Sequence, residues 1–131
     1  GLTRGTKQEH IIRATIESLA YQTSDVVFAM QEDSGLAIKK MQVAGGASRN
    51  DFLLQFQSDI LNTQVIRSTI SETTALGAAY LAGLAVGVWK HQDDIRKQFQ
   101  VASIFEPMME EENRIAHLNG WKRAVHAIME F

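Results

Sequence analysis

Cysteine is absent from the 131 residues, which removes disulfide frameworks, thiolate metal sites and cysteine nucleophiles at once. The absence fits a reducing compartment, and the cytoplasm is the expected location. Positive charge is also scarce: the net charge is −2 and the pI about 6.1. No basic field gathers nucleic acid or an anionic membrane around such a surface, so neither is an expected partner. The segment from Gly1 to Lys7 holds no apolar h-region of a signal peptide. There is no initiating methionine, and a chain that opens on Gly1-Leu2-Thr3 and enters a patterned helix reads as a piece of something longer. The longest apolar run, Ala75 to Val88, falls short of the roughly 20 residues that cross a bilayer and is rich in small side chains, which predicts a buried internal helix.

What is present is a 45% hydrophobic chain, enough for one core and too short for two ordinary domains. Thr6 and Glu9 have capping-box spacing, and Ile12, Ile16, Leu19, Thr23, Val26 or Val27 and Met30 line one helical face until Gly35 offers a left-handed stop. Lys40 to Ala44 reads as a strand ending in Gly45-Gly46. Ser48 and Asp51 repeat the cap spacing ahead of a helix carrying Phe52, Phe56 and Ile60, and Gln64 to Ser68 is extended. Ser71-Glu72-Thr73-Thr74 opens a helix to about Trp89, in which Gly77, Gly83 and Gly87 let neighbouring backbones come close. Asp93 to Gln98 predicts a short surface helix and Val101 to Phe105 an edge strand before Pro107, the only proline. Glu110-Glu111-Glu112 starts a last helix at its favourable end, with Leu118, Trp121, Val125 and Ile128 or Met129 as its stripe. Alternating helices and strands predict an α/β layered core, with too few strands to complete a sheet alone.

A strand that ends in Gly45-Gly46 and turns into a helix suits a nucleotide. Glycine lets backbone approach a ligand where a Cβ collides, and helix-start amides meet negative charge. By itself the feature is weak, because two glycines after a strand are more often a tight connection. It lacks the Lys-Ser/Thr ending of a P-loop and the spacing of the dinucleotide fingerprint.

Several segments, in order, carry a resemblance. Gly1-Leu2 with His10-Ile11 and Ala14-Thr15-Ile16-Glu17 is similar to the second signature of the FGGY carbohydrate kinase family, which includes glycerol, xylulose and gluconate kinases. Val43-Ala44-Gly45-Gly46-Ala47-Ser48-Arg49-Asn50 resembles that family's adenosine motif. Phe56-Gln57-Ser58-Asp59-Ile60-Leu61 and Glu72-Thr73-Thr74-Ala75-Leu76-Gly77-Ala78-Ala79 are similar to its following segments, and coverage runs to Gly120-Trp121. Thr3-Arg4-Gly5-Thr6 resembles the glycerol-phosphorylating branch.

The resemblance implies an α/β fold, the C-terminal half of an actin-like, ribonuclease-H-like ATPase domain, with residues 1–131 as part of the nucleotide-binding domain and the substrate domain upstream. It implies ATP and Mg2+ as cofactors, ADP as product, glycerol or a related polyol as acceptor, and a homo-oligomeric full-length protein. Nucleotide contacts carry over to Gly46 and Asn50, with Gly45 forming the close turn, the glycine amides beside phosphates or ribose, and Asn50 reading the adenine edge with a donor and an acceptor. The aspartate base, the polyol-binding residues and most phosphate contacts fall upstream of Gly1, and Mg2+ ligands are not expected within this segment, so no catalytic residue and no metal ligand is assigned, and this segment alone is expected to be inactive. Two departures stand out. Ala44 replaces an acidic residue that many relatives place before the glycines, and Asn113 stands where some bacterial relatives have a zinc ligand for binding a sugar-transport regulator, so that regulation is not expected. A kinase of xylulose or gluconate, and a noncatalytic nucleotide-binding module of the same fold, are the alternatives.

The remaining polar residues read plainly. His10, His91, His117 and His126 are scattered without metal-ligand spacing and are expected on helix surfaces. Glu110 to Glu112 point in different directions on a helix, Trp89 and Trp121 suit core or rim packing, and Arg4, near Thr3 and Thr6, suits a phosphate or a surface salt link equally.

Overall fold

Helix α1, Gln8–Ser34, opens the computed structural model, which describes residues 2–129. It stops where the sequence places the stop: Gly35 adopts φ 68° and donates its amide to the Gln31 carbonyl at 2.9 Å. Its start differs from the predicted capping box. Thr6 Oγ1 accepts the Thr3 amide at 2.9 Å inside a turn, and His10 Nδ1, not Glu9, accepts the Lys7 amide at 3.1 Å. The hydroxyl is used up by the turn before the helix begins.

The buried face of α1 matches the predicted stripe only in part, at Val27 and at Ile16, which packs against the core. Ala20, Tyr21, Ser24 and Val27 are buried, whereas Ile12, Leu19, Val26 and Met30 are exposed. Small residues decide this, because Ala20 and Ser24 let helix α2, Asp51–Leu61, come close enough for Gln57 Nε2 to reach the Ala20 carbonyl at 3.3 Å.

Helix α2 is the centre of the molecule. It joins strand β1, Lys40–Val43, to the parallel strand β2, Gln64–Ser68, and strand β3, Val101–Phe105, adds antiparallel to β2 in the order β1-β2-β3. Parallel strands need such a crossover. Leu53, Leu54, Phe56, Ile60 and Leu61 of α2 are buried, Ile60 completely, between α1 and the sheet, and the predicted edge position of β3 holds. Ser48 does not cap this helix. A 3-10 turn, Gly46–Arg49, intervenes, Ser48 Oγ donates to the Gly45 carbonyl at 2.7 Å, and Asn50 becomes the cap.

Helix α3, Thr73–Ala85, ends before Trp89 and is not buried by the described residues: of its own residues only Gly83 is buried, and Leu81 and Val88 are 71% and 67% exposed. An all-round apolar helix needs cover on every side, and here Tyr80 is half-buried, with the Trp89 ring edge-on to it at 5.1 Å between centroids. The early stop is a Schellman motif, with the Val88 amide on the Gly83 carbonyl at 2.8 Å, the Gly87 amide on that of Leu84 at 3.3 Å, and Gly87 at φ 79°. The expected close backbone approach is absent at Gly77, which faces open space, while Gly83 admits the Trp89 ring where a Cβ would overlap it.

Helix α4, Gln92–Arg96, is the short helix predicted there, and helix α5, Glu111–Met129, lays Leu118 and Trp121 against the core while Ile128 and Met129 stay exposed. No helix among the described residues is long and apolar enough to cross a membrane.

Candidate nucleotide site

Strands β1 and β2 run parallel, so the segments that leave them, Ala44 to Asn50 and Thr69 to Ser71, emerge at one end of the sheet. Ligands of open α/β sheets bind outside the carboxyl ends of the strands. Gly45 turns there at φ 95° and ψ 178°, a conformation only glycine adopts without strain. Gly46 differs, since its φ is ordinary and a Cβ built on it meets no heavy atom within 4 Å. The backbone conformation therefore requires glycine at 45, whereas neither conformation nor packing within the described residues explains it at 46.

Asn50 Oδ1 accepts the Leu53 amide at 3.1 Å as the cap of α2. Its side-chain oxygen thus already accepts one bond at the helix start. The exposed side-chain nitrogen donates to no described residue and remains available. Gly45, Gly46 and Asn50 thus share one turn of six residues, 45–50, at the carboxyl end of β1.

Arg67 is the residue that sequence reasoning missed. Its Nη1 donates to the Ser48 carbonyl at 3.1 Å and to Asp51 Oδ1 at 2.6 Å, while Nη2 donates to Ser103 Oγ at 2.8 Å. The available signal was a cation inside a short strand next to Val65 and Ile66, because a partly buried charge requires partners. Arg49 adds a longer link to Ser71 Oγ at 3.4 Å.

Two cavities flank β1 on opposite faces, as strand alternation demands, and Ala44, Ala47 and Ser48 of the turn segment border the second. One, of about 560 Å³, is bordered by Gln42, Ser68, Thr73, Tyr80, Arg96 and Phe99. The other, of about 370 Å³, is bordered by Met41, Val43, Ala47, Thr23, Leu53 and Gln57. No group of three His, Cys, Asp or Glu residues among the described residues is arranged to hold a metal ion.

A separate polar cluster joins α1 to α5. Tyr21 stacks on Trp121 with centroids 5.3 Å apart, its hydroxyl lies 2.8 Å from His117 Nδ1, and Trp121 Nε1 donates to Asp25 Oδ2 at 2.7 Å. His117 is therefore half-buried and engaged, not the surface histidine expected, because Phe56 meets its ring edge-on at 5.5 Å. Asn113 borders the cavity of about 500 Å³ beside this cluster.

Burial, reinforced by the nearby charge of Glu17 and opposed by Arg13, pushes the Tyr21 hydroxyl up to about 12 from 10.0. Below pH 10 this group's contribution to stability is fully present. It is lost as pH rises from about 10 towards about 12, because the unfolded chain then gives up the proton first. Alkaline unfolding monitored against Tyr21→Phe should show wild type losing more stability than the variant over that interval. Parallel curves would refute the assignment.

The pattern of the FGGY family of carbohydrate kinases, C-terminal domain, matches residues 1–86. A glycerol kinase of Geobacillus kaustophilus (strain HTA426) is 58% identical over 131 residues, covering 100% of this chain and 26% of that protein. One of Caldanaerobacter subterraneus subsp. tengcongensis is 59% identical over the same span, again 100% of this chain and 26% of the relative. The crystal structure of Plasmodium falciparum glycerol kinase with ADP superposes with a TM-score of 0.86 at 33% identity, over 97% of this chain and 26% of that one. The chain thus spans 26% of the length of the curated relatives it matches. Its α/β fold is part of the actin-like, ribonuclease-H-like ATPase domain of the solved kinases. The ordered glycine turn, its capped helix and the match over residues 1–86 together establish that this chain belongs to the FGGY family of carbohydrate kinases and carries its C-terminal domain.

Proposed function

We propose that this chain forms the nucleotide-binding C-terminal part of a kinase that transfers the γ-phosphoryl group of MgATP to glycerol, yielding glycerol 3-phosphate and ADP. The observation that carries this reading is 58% identity along all 131 residues to a glycerol kinase, and among solved structures 33% to a glycerol kinase beside 20–25% to four gluconate and xylulose kinases. Residues 1–131 are on this reading part of the nucleotide-binding domain, and the polyol is held by a domain outside them. The cysteine-free composition favours the cytoplasm, and a homo-oligomer of the full-length enzyme is part of the proposal.

Each residue of the turn has a physical task. Gly45 bends the chain sharply after β1, and Gly46 leaves the space in which a phosphate or ribose comes against backbone. Asn50 keeps α2 capped through Oδ1 while its side-chain nitrogen donates to an acceptor on the adenine edge. Bound Mg2+ supplies charge neutralisation at the phosphates, and the deprotonating carboxylate is assigned to no residue of this chain.

The test is ADP formation by the full-length kinase with MgATP and glycerol, xylulose, gluconate or water alone. A marked glycerol preference is expected, with the isolated 131-residue chain inactive. Preference for another acceptor discards glycerol and keeps the nucleotide site, whereas no acceptor-dependent ADP would make the chain part of a noncatalytic module.

A further inference from the structure

We propose that Arg67 is a positioning residue for the nucleotide, its guanidinium holding the Gly45-Gly46 turn by bridging the Ser48 carbonyl and the Asp51 carboxylate to Ser103 on the neighbouring strand. The inference rests on the nucleotide site proposed above and deepens it. In the sheet register Arg67 pairs with Val43, the last residue of β1 before the turn, and with Ser103 of β3. The backbone ladder therefore fixes the strand side of the turn, and the guanidinium fixes its helix side through Ser48 and Asp51 at 3.1 and 2.6 Å. Ser103 Oγ at 2.8 Å and the Phe105 ring, 5.5 Å from Cζ, keep the guanidinium in place, and its side chain is only 19% exposed.

Two physical consequences follow. A planar fork makes several directed bonds at once, which a lysine ammonium cannot reproduce. These bonds point back into the protein, so Arg67 acts through the turn. In addition, Asp51 sits in the first turn of α2, beside the backbone proposed to meet phosphates, and carries a negative charge that would repel them. Pairing with Arg67 offsets that charge.

The experiment measures KM for MgATP, KM for glycerol, kcat and Tm in the full-length kinase. Arg67→Ala is expected to raise KM for MgATP about tenfold, the equivalent of losing one charged hydrogen bond, with kcat within about threefold and KM for glycerol unmoved. Arg67→Lys should recover only part of the loss, and Asp51→Asn added to Arg67→Ala should lower KM again by removing the stranded charge. Ile60→Val, a core change in the same helix, serves as the control that lowers Tm without moving KM.

Where Arg67→Ala does not fold, Ser103→Ala and Arg67→Lys carry the test, each with a rise of about threefold in KM for MgATP. An unmoved KM in the Arg67 and Ser103 variants, or a rise that Ile60→Val reproduces at equal Tm, overturns the inference. If those variants fail to act while Gly46→Val does, the nucleotide site stands and only the role of Arg67 falls. If Gly46→Val is also without effect, the site is misplaced and both readings fall.

Discussion

Replacing Gly46 with valine should raise KM for MgATP about thirtyfold, or about 2 kcal/mol, in the full-length kinase while leaving Tm within a degree or two of wild type. The separation of the two effects is the point of the experiment. A Cβ at this position meets no heavy atom within 4 Å and its backbone φ is one that any residue adopts, so folding does not resist the change. A phosphate or ribose brought against the same backbone would resist it strongly, since an isopropyl group occupies the approach path. Gly45→Val provides the contrast: φ 95° there makes the substitution strained even though the space is open, so it should lower Tm as well. Saturation binding of ATP and steady-state kinetics both read the difference. Unchanged affinity in Gly46→Val would remove the turn from the nucleotide site.

The second large effect is expected at Asp59, where Asp59→Ala should destabilise the folded kinase domain by roughly 3 kcal/mol. The Asp59 carboxylate is 9% exposed, and its Oδ1 accepts the Met108 amide at 2.7 Å, the Met109 amide at 3.2 Å and Gln55 Nε2 at 3.1 Å. Gln55 Nε2 also lies 2.8 Å from the Glu106 carbonyl, and Ser58 Oγ lies 3.0 Å from that of Phe105. One face of α2 thus pins the segment between β3 and α5. Alanine leaves two amides of that segment without a partner, and an unmade bond in a buried place costs more than a made one contributes. Hydrogen exchange at Met108 and Met109 is the direct readout. Protection there should fall sharply in Asp59→Ala, with Asp59→Asn intermediate because an amide oxygen still accepts but carries no charge. Wild-type protection in the alanine variant would show that α5 is held by its apolar face alone.

Periodicity and turn chemistry were readable from the residues. The Gly35 stop, the strand before Gly45, the extended segment 64–68 and the short helix at 92–96 all depend on neighbours a few positions apart, and local sterics act the same way in any fold. The caps were less readable. Thr6 and Ser48 both had the correct spacing, yet each hydroxyl found a nearer partner, Thr6 accepting the Thr3 amide and Ser48 donating to the Gly45 carbonyl. Spacing shows which bond a side chain is able to make and does not rank it against competitors.

The sequence by itself determined the element order, the α/β class, the place of the glycine turn and, through its ordered motifs, the family. Tertiary structure alone decided which face of α1 is buried, that α3 is left largely uncovered by the described residues, that His117 is drawn into the contact between α1 and α5, and that Arg67 reaches the turn. Tyr21 and His117 are 96 residues apart, and Arg67 and Ser103 are 36 apart. The reason is one of range. Hydrogen bonding and backbone sterics within a helix turn or a tight bend are decided by adjacent residues, whereas burial and charge pairing depend on which distant surfaces meet.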